Sequence, residues 1–217
     1  MNYFAHALPF LDRPYFMAGT GVPDWLTVVD RQVRVRTKHA EPFLDDPDLC
    51  VAAVAGGVIQ HLRDDARFHE TRAFMETCLE LTARVRDALG LEAGFRPSFL
   101  GHLLVEVLLD ATLAAEQPER LEEYYRVLRT VDAAAVERAV NRIGPKPTGR
   151  LAAMIGQFCL HRVLWDYLED GKLWTRLNQV LRRVQLAPLP EGIVALLPDA
   201  RRLVAGRRKE LLEGIPT

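Results

Sequence analysis

Apolar residues recur at intervals of three and four along most of this 217-residue chain, whereas strict alternation of apolar and polar residues is almost absent. This spacing predicts helices from about Leu49 to Leu89, from Ser98 to Ala115 and in several later segments. Only the stretch VRVRT, residues 33–37, alternates as a strand would, and a lone strand has no partner for its backbone hydrogen bonds. The sequence therefore predicts an all-α fold, a bundle of many helices.

Two rows of polar side chains interrupt the predicted helices at intervals of four residues. They are His61, Asp65 and His69 in one helix, and His102, Glu106 and Asp110 in another. Residues four apart lie on one helix face, and Leu and Val surround the second row. Burying imidazoles and carboxylates without partners is costly, and a divalent cation can satisfy several of them at once. The rows predict two facing helices with a metal site between them.

The same two rows also fit a helical protein that catalyses nothing. In that interpretation His61 pairs with Asp65 and His102 pairs with Glu106, and these buried polar networks, or a structural metal, give the bundle a unique register. An iron pair is less favoured, because the Glu-x-x-His spacing of di-iron bundles is missing. The residues alone leave the metal site and the polar network open.

Two further candidates precede the rows. His6 lies in the apolar segment MNYFAH, and Asp24 follows the glycine-rich AGTGVP, which we interpret as a turn where the backbone can approach a ligand. A single histidine in an apolar stretch is usually a core residue, and an aspartate after Val-Pro usually caps a helix. Both roles are therefore open at this level.

The length and the composition favour one domain. With 49% apolar residues, 217 residues can bury a sizeable core. The strongest linker signal, Gly144 to Pro147, is interpreted as a turn between helices. We therefore expect a single helical domain over residues 1–217, with the metal-site helices within 1–115 and helices of 148–213 completing the bundle.

Four segments carry a resemblance to a known family. They are MNYFAH, AGTGVPDWL, AGGVIQHLRDDARFHET and VEVLLDATLA, in this order within the first 115 residues. The order resembles that of the acyl carrier protein phosphodiesterase family, which is similar to the HD-type metal phosphohydrolases. The resemblance implies an all-helical, HD-domain-like fold and a divalent metal. It also implies cleavage of the phosphodiester that joins phosphopantetheine to a carrier-protein serine.

The resemblance also assigns roles to individual residues. His6, Asp24, His61 and Asp65 match the family's metal-site residues, and Glu106 and Asp110 match its acidic pair. The chain departs from the family's pattern at five places: Thr20 replaces Asn, Glu106 and His69 replace Asp, Ala111 replaces His, and His102 stands one turn before the second row. The Phe-His and Gly-His pairs also resemble, more weakly, the helical zinc-dependent phospholipase C and nuclease group.

A catalytic site built on these residues would hydrolyse a phosphodiester with the help of a divalent metal. We expect His6, Asp24, His61, Asp65, His69 and Asp110 as metal ligands, with Mn, Zn and Fe all compatible with mixed nitrogen and oxygen donors. Glu106 or His102 would act as general base or acid. Arg63, Arg67 or Arg96 would bind the phosphate of a phosphorylated substrate, which the resemblance extends to an acyl carrier protein.

Charge and hydropathy restrict the partners and the location. The formal net charge of −1 argues against a general nucleic-acid binder. The longest purely apolar or glycine run, VAAVAGGVI from Val51, is far shorter than the roughly 20 residues of a membrane span. The three separated cysteines and the absence of a leader pattern at the N-terminus predict a cytoplasmic protein without a membrane span.

Overall fold

A computed structural model of the chain describes residues 1–90 and 96–216. These residues are mostly helical and include no β-strand, so the prediction of an all-α, multi-helix fold is confirmed. In chain order the α-helices are α1 Tyr3–Ala7, α2 Pro14–Val29, α3 Thr37–Ala40, α4 Leu49–Glu70, α5 Arg72–Leu89, α6 Pro97–Glu116, α7 Pro118–Leu128, α8 Ala133–Ile143, α9 Leu151–His161, α10 Asp170–Arg183, α11 Leu197–Gly206 and α12 Arg208–Leu211. Short 3-10 helices cover Leu8–Phe10, Glu41–Phe43, Val163–Leu168 and Glu191–Leu196.

The described residues fall into two compact units. The first unit contains residues 3–66 and 118–163, and the second contains residues 1–2, 67–117 apart from 91–95, and 164–216. The division falls within α4, whose residues from 67 onward belong to the second unit. The prediction that the chain forms one domain stays a prediction.

Local capping explains where the predicted helix from Leu49 to Leu89 divides in two. The Thr71 hydroxyl accepts a hydrogen bond from the backbone N–H of Phe74 at 3.1 Å, which is the arrangement of an N-cap. Thr71 itself has extended backbone angles, so α4 ends before it and α5 begins after it. Gly90, with φ of +70°, ends α5 in a conformation that favours glycine.

Two other segments show how local chemistry modifies the helical pattern. The alternating stretch forms no strand: Thr37 begins α3, and of the residues before it Val33 and Val35 are buried while Arg34 and Arg36 are exposed. The apolar segment from Leu151 to Leu168 is not one continuous α-helix, because α9 ends at His161 and Arg162 adopts a left-handed conformation with φ of 46°. The Arg162 guanidinium forms an ion pair with Glu122, an interaction that offsets part of the cost of this conformation.

Aromatic side chains form the centre of the first unit. The Phe158 ring of α9 lies among the rings of Tyr3, Trp25, Tyr124 and Tyr125, with centroid distances between 4.7 and 6.5 Å. Phe158 and these four neighbours are all buried. The aromatic cluster therefore connects α1, α2, α7 and α9 around one core.

Glycines allow α2 and α4 to pack with unusually little separation. A Cβ atom at Gly57 would collide with the carbonyl oxygen of Phe16 and lie 2.8 Å from the Cα of Gly19. A Cβ atom at Gly19 would lie 2.6 Å from the carbonyl oxygen of Val54. The expected turn at AGTGVP is wrong, since these residues lie inside α2. Their glycines serve helix packing rather than a ligand-binding turn.

Helices α5 and α6 pack along their lengths in the second unit, and α11 covers both. A Cβ atom at Gly101 would lie 2.8 Å from the backbone nitrogen of Thr82, so this glycine permits the close contact of α5 and α6. Within the described ranges, α6 alone is long and apolar enough to cross a membrane, and 61% of its most apolar window is buried. Core helices of soluble proteins have the same length and composition.

Candidate metal centre

Three helices of the first unit bring together what we call the His6 group: His6, Asp24, His61, Asp64 and Asp65. The Nε2 atom of His6 lies 3.2 Å from Oδ1 of Asp65, and the Nε2 atom of His61 lies 3.5 Å from Oδ2 of the same carboxylate. Asp24 approaches from α2, with its Oδ1 4.0 Å from Nε2 of His61. Two imidazoles thus converge on one carboxylate, with a second carboxylate beside them.

The ring of His61 is oriented by a backbone carbonyl of α2. Its Nδ1 donates a hydrogen bond to the carbonyl oxygen of Thr20 at 2.8 Å. A carbonyl oxygen can only accept, so Nδ1 carries a proton and Nε2 is the nitrogen that faces Asp24 and Asp65. This is the arrangement of a histidine that binds a metal through Nε2 while its other nitrogen is held by the backbone.

His6 completes the group from α1. Its ring is fully buried and stacks on the His61 ring, with centroids 4.0 Å apart. The Nδ1 atom has no hydrogen-bond partner among the described residues and lies 3.7 Å from Oδ2 of Asp64. Gln60 donates to the other oxygen of Asp64 at 2.9 Å, which orients that carboxylate.

The His6 group contains more carboxylates than imidazoles. Burial alone would raise the pKa of Asp65, but hydrogen bonds from His6 and His61 outweigh burial and hold that pKa well below its ordinary value. Asp65 is therefore ionised at neutral pH, and with neutral rings the ionised group would carry excess negative charge. The Asp24 and Asp65 side chains are 27% and 29% exposed, whereas both rings are almost fully buried, so the carboxylates form the accessible side.

The donor atoms have the chemistry and spacing that a divalent ion requires. One ligand atom from each of His6, His61 and Asp65 lies within 4.8 Å of the others. Ligand atoms bound to one ion at about 2.0–2.2 Å stand roughly 3.0–3.5 Å apart, which is close to the distances observed here. Imidazole nitrogens combined with carboxylate oxygens suit Mn, Fe and Zn. The residues present therefore fit a divalent metal.

A separate cluster in the second unit, which we call the His69 group, contains His69, His102 and Glu106. Both imidazole Nε2 atoms lie 3.1 Å from the same oxygen, Oε1 of Glu106. The amino nitrogen of Met1 lies 3.3 Å from this oxygen as well. The two rings are tilted by 35° with centroids 4.8 Å apart.

The carboxylate at the centre of the His69 group is strongly stabilised in its charged form. Burial would raise the pKa of Glu106, but the nearby amino group of Met1 and hydrogen bonds from His102 and His69 lower it well below its ordinary value. Phe74 of α5 contacts both rings with its edge, at centroid distances of 4.7 Å to His69 and 5.0 Å to His102. The N-cap at Thr71 sets where Phe74 lies on α5.

The structure divides the six predicted metal ligands rather than bringing them to one ion. His6, His61 and Asp65 lie together with Asp24, while His69 lies with His102 and Glu106, the residues predicted as acid and base. Asp110 is buried on α6 one turn beyond Glu106 and belongs to neither set of three. Helix α4 supplies residues to both groups, because its row extends across the division between the units.

The predicted phosphate-binding arginines lie outside both groups. Arg63 is exposed, and its position two residues from both His61 and Asp65 places it about 200° around α4 from each. Arg67 is exposed and lines an open cavity of about 870 Å³ that also contains Glu70, Glu76, Glu210 and Glu213. Arg96 is exposed at the N-terminal end of α6.

Three features of the first unit lie outside the predicted site residues. Asp64 is buried beside His6. Thr20, noted only as a departure from the family, orients His61 through its carbonyl, a role that no side-chain pattern reveals. The run RQVRVRTK, residues 31–38, lines a cavity of about 490 Å³ with four cationic side chains, a signal that its charge could have given.

Comparison with protein-family models, curated proteins and solved structures gives no match for this chain. The likeness to the acyl carrier protein phosphodiesterase family and the HD-domain-like arrangement therefore stay predictions.

Proposed function

We propose that this chain is a divalent-metal-dependent phosphohydrolase that acts on phosphodiesters. One observation supports this proposal most: the Nε2 atoms of two buried histidines approach opposite oxygens of the Asp65 carboxylate at 3.2 and 3.5 Å. Such a donor set is typical of sites that hold a catalytic divalent ion.

The chain's own residues would hold the ion and control access to it. His6, His61 and Asp65 would bind the ion, and Asp24 lies where it can join them. When bound, a divalent ion lowers the pKa of water and offsets charge on phosphoryl oxygens. The carbonyl of Thr20 keeps the lone pair of His61 directed at the site, and Gln60 holds Asp64 beside His6. The exposed edges of Asp24 and Asp65 mark the side from which a substrate would enter.

The finer proposal concerns the substrate. The order of the four sequence segments supports a phosphopantetheine-bearing carrier protein as the natural phosphodiester. Glu106 and His102 remain proposed as acid and base from the sequence alone, since the structure includes them in the His69 group. Within the His6 group, Asp24 is a partly exposed carboxylate outside the three proposed ligands, and it could accept a proton from water.

Hydrolysis of bis(p-nitrophenyl) phosphate tests the proposed function. Protein freed of metal with a chelator is expected to be inactive, and Mn²⁺ or Zn²⁺ is expected to restore hydrolysis. Asp65→Asn should lower the restored rate by at least about 100-fold, because it removes the carboxylate that faces both imidazoles. Asp45→Asn is the matched control, since Asp45 is an exposed aspartate of the same unit and should have no effect.

The alternative is a buried polar network without catalysis, favoured by the hydrogen bonds that already hold Asp65 and His61. Under this alternative the metal-free and metal-supplemented proteins would hydrolyse the diester equally slowly, and Asp65→Asn would change only stability. A carrier-protein substrate is tested separately by incubating the protein with phosphopantetheinylated carrier protein and measuring its mass. Loss of the phosphopantetheine mass is expected, and an unchanged mass would remove the finer proposal alone.

A further inference from the structure

None of the three residues of the His69 group is a ligand of the proposed hydrolytic metal site. Its two imidazoles and one carboxylate come from the last turn of α4 and the first half of α6. The histidines at these positions depart from the pattern of the family that the sequence resembles, so that likeness assigns them no role. Their convergence on a single oxygen is therefore a property of this chain.

We propose that the His69 group is a second metal site, which binds a first-row divalent transition ion such as Zn²⁺ through His69, His102 and Glu106. The two Nε2 atoms and Oε1 of Glu106 provide three electron-pair donors, and the two nitrogen-to-oxygen distances are both 3.1 Å. This spacing matches the roughly 3.0–3.5 Å between ligands of one ion. Two histidines and one carboxylate form a donor set that Zn²⁺ and Fe²⁺ commonly occupy.

The surroundings hold the two rings in place without blocking their ligand atoms. Phe74 packs its ring edge against both imidazoles, and Phe74 is itself fixed by burial and by the N-cap at Thr71. Because the rings are already held in place, metal binding costs less side-chain conformational entropy. The close contact at Gly101, directly before His102, brings the start of α6 against α5.

Each ring can also adopt the tautomer that a metal requires. The Nδ1 atoms of His69 and His102 make no hydrogen bond with any described residue. The side chains are 31% and 42% exposed, so water can accept the Nδ1 proton of either ring. A neutral ring then presents the lone pair of Nε2 toward the ion.

The imidazoles of the His69 group are more exposed to solvent than those of the His6 group, so we expect the two groups to exchange metal differently. Three protein ligands leave at least one position of a tetrahedral ion open to solvent or to a further ligand. Because His69 and His102 reach solvent, an added ion can enter without unfolding the protein. The site is therefore expected to load and unload readily with chelators.

Zn²⁺ titration by isothermal calorimetry tests the proposal on the full chain. The variants are His102→Ala and Glu106→Gln in the His69 group, His61→Ala in the His6 group, and His161→Ala as control. His161 is exposed and forms a hydrogen bond with Gln157, so this control removes an imidazole outside both groups. Far-UV circular dichroism verifies the fold of each variant.

The proposal predicts that the Zn²⁺ equivalent of the His69 group is lost in both His102→Ala and Glu106→Gln and kept in His161→Ala. His61→Ala should also keep this equivalent while it loses the one bound by the His6 group. Loss of a residue that only hydrogen-bonds a metal ligand lowers metal affinity by roughly 10–100-fold. Because His102 and Glu106 are proposed as ligands themselves, either substitution should lower the Zn²⁺ affinity of the His69 group by more than this. Retention of every Zn²⁺ equivalent in the two His69-group variants would overturn the proposal. Because the readout is binding, failure of phosphodiester hydrolysis would leave this result unaffected.

Discussion

Replacing Gly57 with Ala is expected to force helices α2 and α4 apart. The new Cβ atom would collide with the carbonyl oxygen of Phe16 and lie 2.8 Å from the Cα of Gly19. Both obstacles are backbone atoms, so no side-chain rotation can relieve them. Overpacking of this kind costs about 1–3 kcal/mol. An alanine in place of glycine inside a helix otherwise gains up to about 1 kcal/mol.

A second glycine provides the matched control for this substitution. Gly156 lies on the exposed side of α9, and a Cβ atom there would meet nothing within 4 Å. Gly156→Ala should therefore stabilise the protein by up to about 1 kcal/mol, whereas Gly57→Ala should destabilise it despite the same gain in helix propensity. Urea unfolding of the two variants measures the difference in the free energy of unfolding.

We expect Gly57→Ala to lower the metal affinity of the His6 group as well. Separation of α2 from α4 moves the Thr20 carbonyl away from Nδ1 of His61, a hydrogen bond of 2.8 Å. Loss of such an outer contact typically lowers metal affinity by roughly 10–100-fold. If Gly57→Ala is as stable as Gly156→Ala, helices α2 and α4 are not packed as closely as described. If Gly57→Ala also binds metal as tightly as the unchanged chain, Thr20 does not orient His61 for metal binding.

Three further predictions concern stability. Thr71→Ala should lower the free energy of unfolding by about 1 kcal/mol through loss of the α5 N-cap, whereas Thr71→Ser should retain most of it in the same urea assay. Phe158→Ala should cost about 3–5 kcal/mol in the aromatic core, and a cost below 1 kcal/mol would contradict the packing described. In metal-free protein the lowered pKa of Asp65 contributes stability above about pH 4 that is lost as the pH falls further, so Asp65→Asn should reduce the acid dependence of urea unfolding.

Periodicity and capping signals predicted the helical class and several helix limits, because both depend on neighbouring residues. The helix predicted from Ser98 to Ala115 agrees with α6 to within one residue at each end. The break at Thr71 was missed because the apolar spacing continues through it, and a single hydroxyl bonded to Phe74 decides the division. The left-handed Arg162 was missed for a similar reason, since its compensating partner Glu122 is 40 residues away.

The sequence shows which helix positions the candidate site residues occupy, but it does not show how those residues are arranged in space. The four-residue spacing correctly placed His61, Asp65 and His69 along one helix, but it could not show which partners the other helices bring to each. His6 and Asp24 were weak candidates alone, and they gain support only from their contacts with the α4 residues. Glycine packing between α2 and α4 permits the approach of Asp24 to His61, and glycines carry no side chain that a chemical pattern can detect.

Anomalous diffraction from crystals soaked in Mn²⁺ or Zn²⁺ shows whether His6, His61 and Asp65 bind one divalent ion. We expect an anomalous peak about 2.0–2.3 Å from Nε2 of His6, Nε2 of His61 and a carboxylate oxygen of Asp65. A fully soaked crystal with no peak among these three atoms, and with their hydrogen bonds unchanged, would contradict it.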